Sequence, residues 1–297
     1  MKKKIIIYSS NICRCISVLN SLENKNLDIL QIISNKSNFE KEIRTHKKVS
    51  KALNFINIKQ TSINKIFDFI KSFNIDLAII AGFTTIVDSK LINAPKLGTI
   101  NLHGGPIPDY LGGSVLNWQI INGEKFIGVT ILKTLDGIDN GPVIAESFFE
   151  LQHTDTIKEV HSKANYQFSQ LLESKIKSIL KDNINYVKKN TEKLTYWHQR
   201  NFENGKINWS SLNSTQVFNL VRAISDPYPN AFCFSPNDKI IKIKQVSILK
   251  RIIKGFPGQV LFLDGDGPFV VCSDNAIKID KYSSEDKIKL KSGMILK

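Results

Sequence analysis

Apolar residues fall into short dense runs separated by longer amphipathic stretches, the pattern of strands alternating with helices. Residues 3–9 (KKIIIYS) read as a buried first strand rather than a signal peptide, and Asn11 is placed to cap a helix reaching about Leu22. A strand is expected over 28–34, a basic helix over 39–53 carrying Ile43 and Val49, and a short strand over 55–58. Ile66, Phe67, Phe69 and Ile70 group as on a helix over 64–73. Residues 76–81 are almost continuously apolar, as in a strand covered on both faces of a parallel sheet. A strand at 98–102 follows, then a helix over 114–122 stopped by Gly123, with Trp118 read as core. Strands over 128–132 and 143–149 lead into a long helix over 155–180. Its stripe is Val160, Ala164, Phe168, Leu171 and Leu172, and His153 and His161 read as surface residues.

This alternation predicts an α/β fold, a Rossmann-like, mostly parallel sheet with right-handed crossovers, over residues 1–182. Ligands of such sheets bind outside the carboxyl ends of the strands, where the loop 82–87 and the strand ending near Asn101 both fall. Residues 183–204 are polar and rich in Asn and Lys, with Tyr196, Trp197 and Arg200 interspersed, and read as a linker. From 205 to 297 a helix over 214–224 and a rigid turn at 226–230 precede short β-like runs at 231–235, 240–246, 258–263, 269–271 and 276–279. That spacing predicts a small OB-like β-barrel.

At 297 residues, 42% hydrophobic and 23% charged, the composition is that of an ordinary globular protein. No run of 18 apolar residues occurs, so no membrane span is expected. Cys13, Cys15, Cys233 and Cys272 show no CxxC or Cys/His ligand spacing, so reduced structural thiols, no metal and a cytoplasmic setting are expected. No G-x-G-x-x-G follows the first strand, which argues against a dinucleotide-binding oxidoreductase. The net charge of +14 has two readings. It suits an anionic partner such as tRNA, a nucleotide-linked sugar or folate. It also suits compositional drift, because Lys, Asn and Ile are all abundant and the lysines are dispersed, with short clusters at 2–4, 47–51 and 188–189.

The stretch 98–145 concentrates the chemistry. Asn101 and His103, two apart on a strand, point to the same face. The turn L-D-G-I-D-N-G at 135–141 supplies Asp139. An amide can donate to a developing oxyanion, an imidazole can move a proton near neutrality, and a carboxylate can hold the imidazole. Together they make an acyl-transfer centre. Singly, each residue is equally at home as turn chemistry or surface.

The ordered motifs N-x-H-G-G-x-x-P, L-N-W, G-V-T and D-G-x-D-x-G-P-V-I resemble the folate-dependent formyltransferase family. That family includes methionyl-tRNA, glycinamide ribonucleotide and nucleotide-sugar formyltransferases. The resemblance implies that Asn101, His103 and Asp139 form the catalytic triad, that 10-formyltetrahydrofolate is the formyl donor, and that no metal is needed. It implies a folate pocket walled by Gly82, Phe83, Ile86 and Asp136, and acceptor contacts from Gly104, Gly105, Tyr110 and Asn117. The two-domain layout, a formyltransferase fold followed by the barrel, is also implied.

The acceptor is expected to be a nucleotide-linked 4-amino-4-deoxy sugar destined for surface polysaccharide or lipid A. Gly105-Pro106-Ile107-Pro108 stands where tRNA-modifying members carry Ser-Leu-Leu-Pro. V-L-N-W and the phrase L-V-R-A-I-S-D-P-Y-P-N-A-F at 220–232 are similar to the enzymes that formylate UDP-4-amino-4-deoxy-L-arabinose. Methionyl-tRNA is the alternative acceptor, and a homodimer is compatible with either. A formyltransferase-like binding protein without catalysis is a further alternative, against which the intact Asn101, His103 and Asp139 argue. One departure stands out: the family's Y-R-G phrase is Tyr110-Leu111-Gly112 here.

Overall fold

The computed structural model describes residues 2–23, 25–46, 53–190 and 192–297. Its contacts divide the chain into two units. One comprises Met1–Gly112, Gly128–Phe149 and Ser162–Tyr196; the other comprises Gly113–Ile127, Glu150–His161 and Trp197–Lys297. The break thus falls after Tyr196 rather than across 183–204, and two internal segments join the carboxyl-terminal unit.

The first unit begins with β1 (Lys3–Tyr8), whose Ile5, Ile6, Ile7 and Tyr8 are fully buried. Burying such a side chain contributes about 1.5–3 kcal/mol. Helix α1 (Ile12–Leu22) starts where the Asn11 side chain accepts from the Arg14 N–H, the cap expected from its position. There follow β2 (Leu27–Ser34), α2 (Phe39–Ile43), β3 (Asn54–Asn57), α3 (Ile63–Ser72), β4 (Leu77–Ile80) and α4 (Ser89–Ile92). Among the described residues the helix expected over 39–53 is α2, anchored by buried Phe39 and Ile43. It ends where Thr45 turns both its N–H and its hydroxyl onto the Glu42 carbonyl; residues 47–52 lie outside the described residues.

Next come β5 (Thr99–His103), the two-residue β6 (Leu111–Gly112), α5 (Val115–Ile121), β7 (Phe126–Lys133), β8 (Val143–Glu150) and α6 (Ile157–Leu180). The seven-stranded sheet has the order β3-β2-β1-β4-β5-β7-β8. β1 pairs in parallel with β2 and β4, and β4 with β5. β7 runs antiparallel to β5. The order reverses between β1 and β4, the kind of switch point beside which α/β sheets bind ligands. On α6, Phe168 is fully buried with the Arg14 guanidinium 4.6 Å from its ring centre. The expected linker is tied down. The Val187 N–H donates to the Val143 carbonyl (2.8 Å), the Thr195 N–H to Pro108 (3.1 Å), and the Leu111 N–H to Thr195 (3.0 Å).

After β9 (Tyr196–Trp197), the second unit holds α7 (Ser214–Ala223), begun by a reciprocal capping box between Asn213 and Gln216. The strands β10 (Ala231–Phe234), β11 (Ile240–Ile248), β12 (Val260–Leu263), β13 (Asp266–Val271) and β14 (Ala276–Ser284) form a sheet of order β10-β11-β14-β13-β12. The carboxyl-terminal tail joins its two edges: Ile295 bridges to Gln259 beside β12, and Lys297 exchanges backbone hydrogen bonds with Phe234 of β10. The tail thus links the two outer strands of the sheet and covers part of each edge. Trp118 is half-buried with its ring centre 5.0 Å from that of Trp197. His161, expected on the surface, is half-buried with Nε2 2.9 Å from the Tyr228 hydroxyl. All four cysteines are unbridged, and burial pushes the thiols of Cys15, Cys233 and Cys272 up to about 12. No helix among the described residues is long and apolar enough to cross a membrane.

One buried carboxylate fastens β1 to β4. Asp76 accepts from the Lys4 N–H and the Lys3 ammonium, each at 2.9 Å. Burial alone would raise its pKa, but these donors outweigh burial and hold it below the ordinary value. A depressed folded-state pKa gives stability that is present above the unfolded value and lost as pH falls through the folded one. Asp76→Asn should therefore cost about 1–2 kcal/mol near neutrality, with its deficit vanishing in acid. Urea midpoints of variant and parent across pH 2–7 check this (roughly the carboxylate range).

Candidate active site

The strand β5 carries Asn101 and His103 on one face, as their spacing requires. The hairpin loop that follows β7 starts near the amino end of β5, because the strands are antiparallel, and folds back across it. It delivers Asp139 in a left-handed conformation, φ 50°, which an Asp tolerates better than most residues. The carboxylate then meets three partners. Oδ1 accepts from the Asn101 Nδ2 at 3.1 Å, Oδ2 accepts from the Gly112 N–H at 3.0 Å, and Oδ2 lies 3.4 Å from the His103 Nδ1. The side chains of His103 and Asp139 are only 5% and 11% exposed.

The other ring nitrogen of His103 faces a backbone carbonyl, Nε2 to Tyr110 O at 2.5 Å. A carbonyl only accepts, so Nε2 carries a hydrogen and donates it. Nδ1 and the Asp139 Oδ2 are left facing each other, a place where one proton can be held between imidazole and carboxylate. The amide of Asn101 has two hydrogens; one goes to Asp139 and the second can meet a developing oxyanion. The structure thus brings together the three residues singled out on this stretch and adds two backbone groups, the Tyr110 carbonyl and the Gly112 N–H, that no side-chain pattern signals.

Gly104 and Gly105 are buried in the turn between His103 and Tyr110. Gly105 has no room for a side chain: a Cβ there would lie 2.6 Å from the Tyr110 oxygen and 3.1 Å from the His103 Nε2. Tyr110 is itself buried and serves His103 through its carbonyl. Leu111, where the family phrase has Arg, is fully buried in an apolar cluster with Ile107, Leu132 and Val143. The residue after Tyr110 is therefore part of the core and offers no charge to a ligand.

The other expected residues are distributed more widely. Gly82, φ 67°, accepts from the Ser10 N–H at 3.1 Å beyond the end of β4. Phe83 is partly buried against the core, its ring 5.7 Å from Tyr8, whereas Ile86 is 83% exposed. Asp136 is exposed in the hairpin loop, its carbonyl accepting from the Asn140 amide at 2.8 Å. Asn117 lies in the second unit, 3% exposed, and donates to the Ala223 carbonyl at 2.7 Å. Its amide is spent joining α5 to α7.

Comparison with known proteins gives a consistent family. The formyl transferase profile matches residues 2–176, and that of the formyl transferase carboxyl-terminal domain matches 201–297. A bifunctional polymyxin resistance protein ArnA of Wigglesworthia glossinidia brevipalpis is 33% identical over 177 residues, 60% of this chain but only 27% of that longer protein. A methionyl-tRNA formyltransferase of Clostridium acetobutylicum is 31% identical over 218 residues, 73% of this chain and 69% of its own. The fold is similar to that of an N-formyltransferase of Helicobacter canadensis solved with folinic acid and dTDP-3-aminofucose. That pair has a TM-score of 0.67 at 21% identity, over 95% of this chain and 100% of the other.

Because the atoms crowding Gly105 include backbone, Gly105→Ala cannot be relieved by a rotamer change. It should cost about 1–3 kcal/mol and break the His103–Tyr110 hydrogen bond. A lowered urea midpoint together with an altered His103 Nε2 resonance in 15N NMR checks both.

Proposed function

The chain belongs to the formyl transferase family, and on that premise we propose an N-formyltransferase acting on the amine of a nucleotide-linked 4-amino-4-deoxy sugar. The donor in this reading is 10-formyltetrahydrofolate. The observation that carries the formyl-transfer reading is the single carboxylate of Asp139, bound to the Asn101 amide and facing the His103 ring.

The residues present fit a flat, partly apolar donor. Ile86 (83% exposed) and Ile138 (51% exposed) offer apolar side chains to solvent on the loops that follow β4 and β7, the two strands beside β5. Gly82, Phe83, Ile86 and Asp136 would hold it. When bound, 10-formyltetrahydrofolate supplies a formyl carbon activated toward amines. Asn101 directs its second N–H to the oxyanion that develops as the amine attacks. A donor of that kind is worth about 3–4 kcal/mol in comparable sites. The Nδ1 of His103 and Oδ2 of Asp139 would take up the proton that the amine loses, and that proton would return to the folate nitrogen as its bond to the formyl carbon breaks. Fixing the ring at Nε2 on the Tyr110 carbonyl keeps Nδ1 turned to the carboxylate.

The sugar acceptor is supported by Gly105-Pro106-Ile107-Pro108, by the 220–232 phrase and by the relation to ArnA. The product would enter surface polysaccharide or lipid A from the cytoplasm. Methionyl-tRNA as acceptor is a second reading, favoured by curated relatives of near-equal length such as the clostridial enzyme.

Purified protein should formylate dTDP- or UDP-linked 4-amino sugars with 10-formyltetrahydrofolate and leave methionyl-tRNA untouched. Asn101→Ala and His103→Ala should each lower kcat by about 100-fold or more. Formylation of the charged tRNA alone would move the assignment to the second reading, and failure with every amine would remove it.

A further inference from the structure

Beneath the turn that ends at Tyr110 lies a chain of polar contacts with no part in the chemistry above. Thr130 on β7 is fully buried and stands opposite His103 in the strand register. Its Oγ1 is 2.8 Å from the Gly105 carbonyl oxygen and 3.3 Å from Oε1 of Glu146 on β8. The Glu146 side chain is 11% exposed, and its Oε2 receives the Lys189 ammonium at 2.6 Å. Lys189 is set there by the pairing of Val187 with Val143.

A hydroxyl has one hydrogen to give, and Thr130 faces two acceptors. An unpaired, buried carboxylate outbids a peptide carbonyl, since hydrogen bonds to ionised groups are roughly twice as strong. A carboxylate already bound by an ammonium competes less. We propose that Lys189 is a positioning residue: by pairing with Glu146 it leaves the Thr130 hydrogen on the Gly105 carbonyl, and thereby fixes the turn that holds the Tyr110 carbonyl against His103. Without Lys189 the hydrogen swings to Glu146. Two oxygens, Thr130 Oγ1 and Gly105 O, then face each other with no hydrogen between them, and the turn must shift. Gly105 has no slack relative to Tyr110, as the missing Cβ space demonstrates, so the shift reaches the His103 Nε2. The kinetic consequence rests on the formyl-transfer reading; the effect on His103 does not.

The test pairs 15N NMR of the His103 ring, assigned by its loss in His103→Gln, with formyl-transfer kinetics. Lys189→Met should move the Nε2 resonance away from its hydrogen-bonded position and lower kcat about tenfold, the scale of one hydrogen bond, with KM for donor and amine unchanged. Thr130→Val, which keeps the branched shape, should do the same, and combining the two should add nothing further. Adding Glu146→Gln to Lys189→Met should return most of the loss, because a neutral amide no longer draws the hydrogen and can itself donate to Thr130. An unmoved Nε2 resonance in both single variants, additive losses, or no rescue would overturn the proposal. A parent protein that formylates no amine defeats the formyl-transfer reading alone, while the NMR series still decides the role of Lys189.

Discussion

One carboxylate holds the candidate site together. Asp139 accepts from an amide side chain and a backbone N–H and faces an imidazole, all within 3.4 Å. A carboxylate has about four lone-pair directions, so three of them being engaged leaves it little freedom to reorient. That matters because the partners come from separate elements: Asn101 and His103 from the central strand β5, and the Gly112 N–H from the end of β6. Removing the carboxylate would leave the Asn101 amide and the His103 ring with no common reference. In a largely buried setting an unpaired polar group is also costly, so the same contacts that align the site keep the hairpin closed over β5.

The two neighbours of β5 reach the site from opposite ends of the strand. The parallel β4 ends beside Asn101, so its following loop starts there. The antiparallel β7 ends beside Thr99 and Ile100, and the hairpin 134–142 returns along β5 to bring Asp139 to both side chains. The same antiparallel register puts Thr130 opposite His103, under the turn that must be kept in place. Val187, Lys189 and Thr195, from what is outwardly a polar connector, add contacts to Val143, Glu146 and Pro108 around that turn.

Much of this was legible in the sequence, and the physical reason differs by element. β1, β2, β4, α1 and α3 fall within one or two residues of expectation, because buried strands and capped amphipathic helices write their period into adjacent residues. Among the described residues the helix expected from 39 onward ends at Ile43, where Thr45 turns back onto the Glu42 carbonyl, a local bond that the basic run does not signal. The tail that joins the edges of the second sheet left no local mark; pairing of Lys297 with Phe234 is a long-range event. At the site, the convergence of Asn101, His103 and Asp139 was readable from motif order. The roles of the Tyr110 carbonyl and the Gly112 N–H were not, because every residue except proline has both groups. Asn117 shows the converse. An amide in a suggestive phrase was expected at a ligand and is buried on the Ala223 carbonyl.

The residues that would do chemistry and those that would choose the acceptor are separable here. Asn101, His103, Asp139 and their supports all belong to the first unit, and in the proposed reaction none would meet more than the amine and the formyl oxygen. A sugar nucleotide and an aminoacyl-tRNA present nearly the same amine chemistry to such a trio. Selectivity must therefore come from groups that touch the rest of the acceptor. Leu111 is not one of them: full burial among Ile107, Leu132 and Val143 removes it from any ligand surface. An Arg at that position would carry a charge; the buried Leu instead stiffens the turn against β7 and β8.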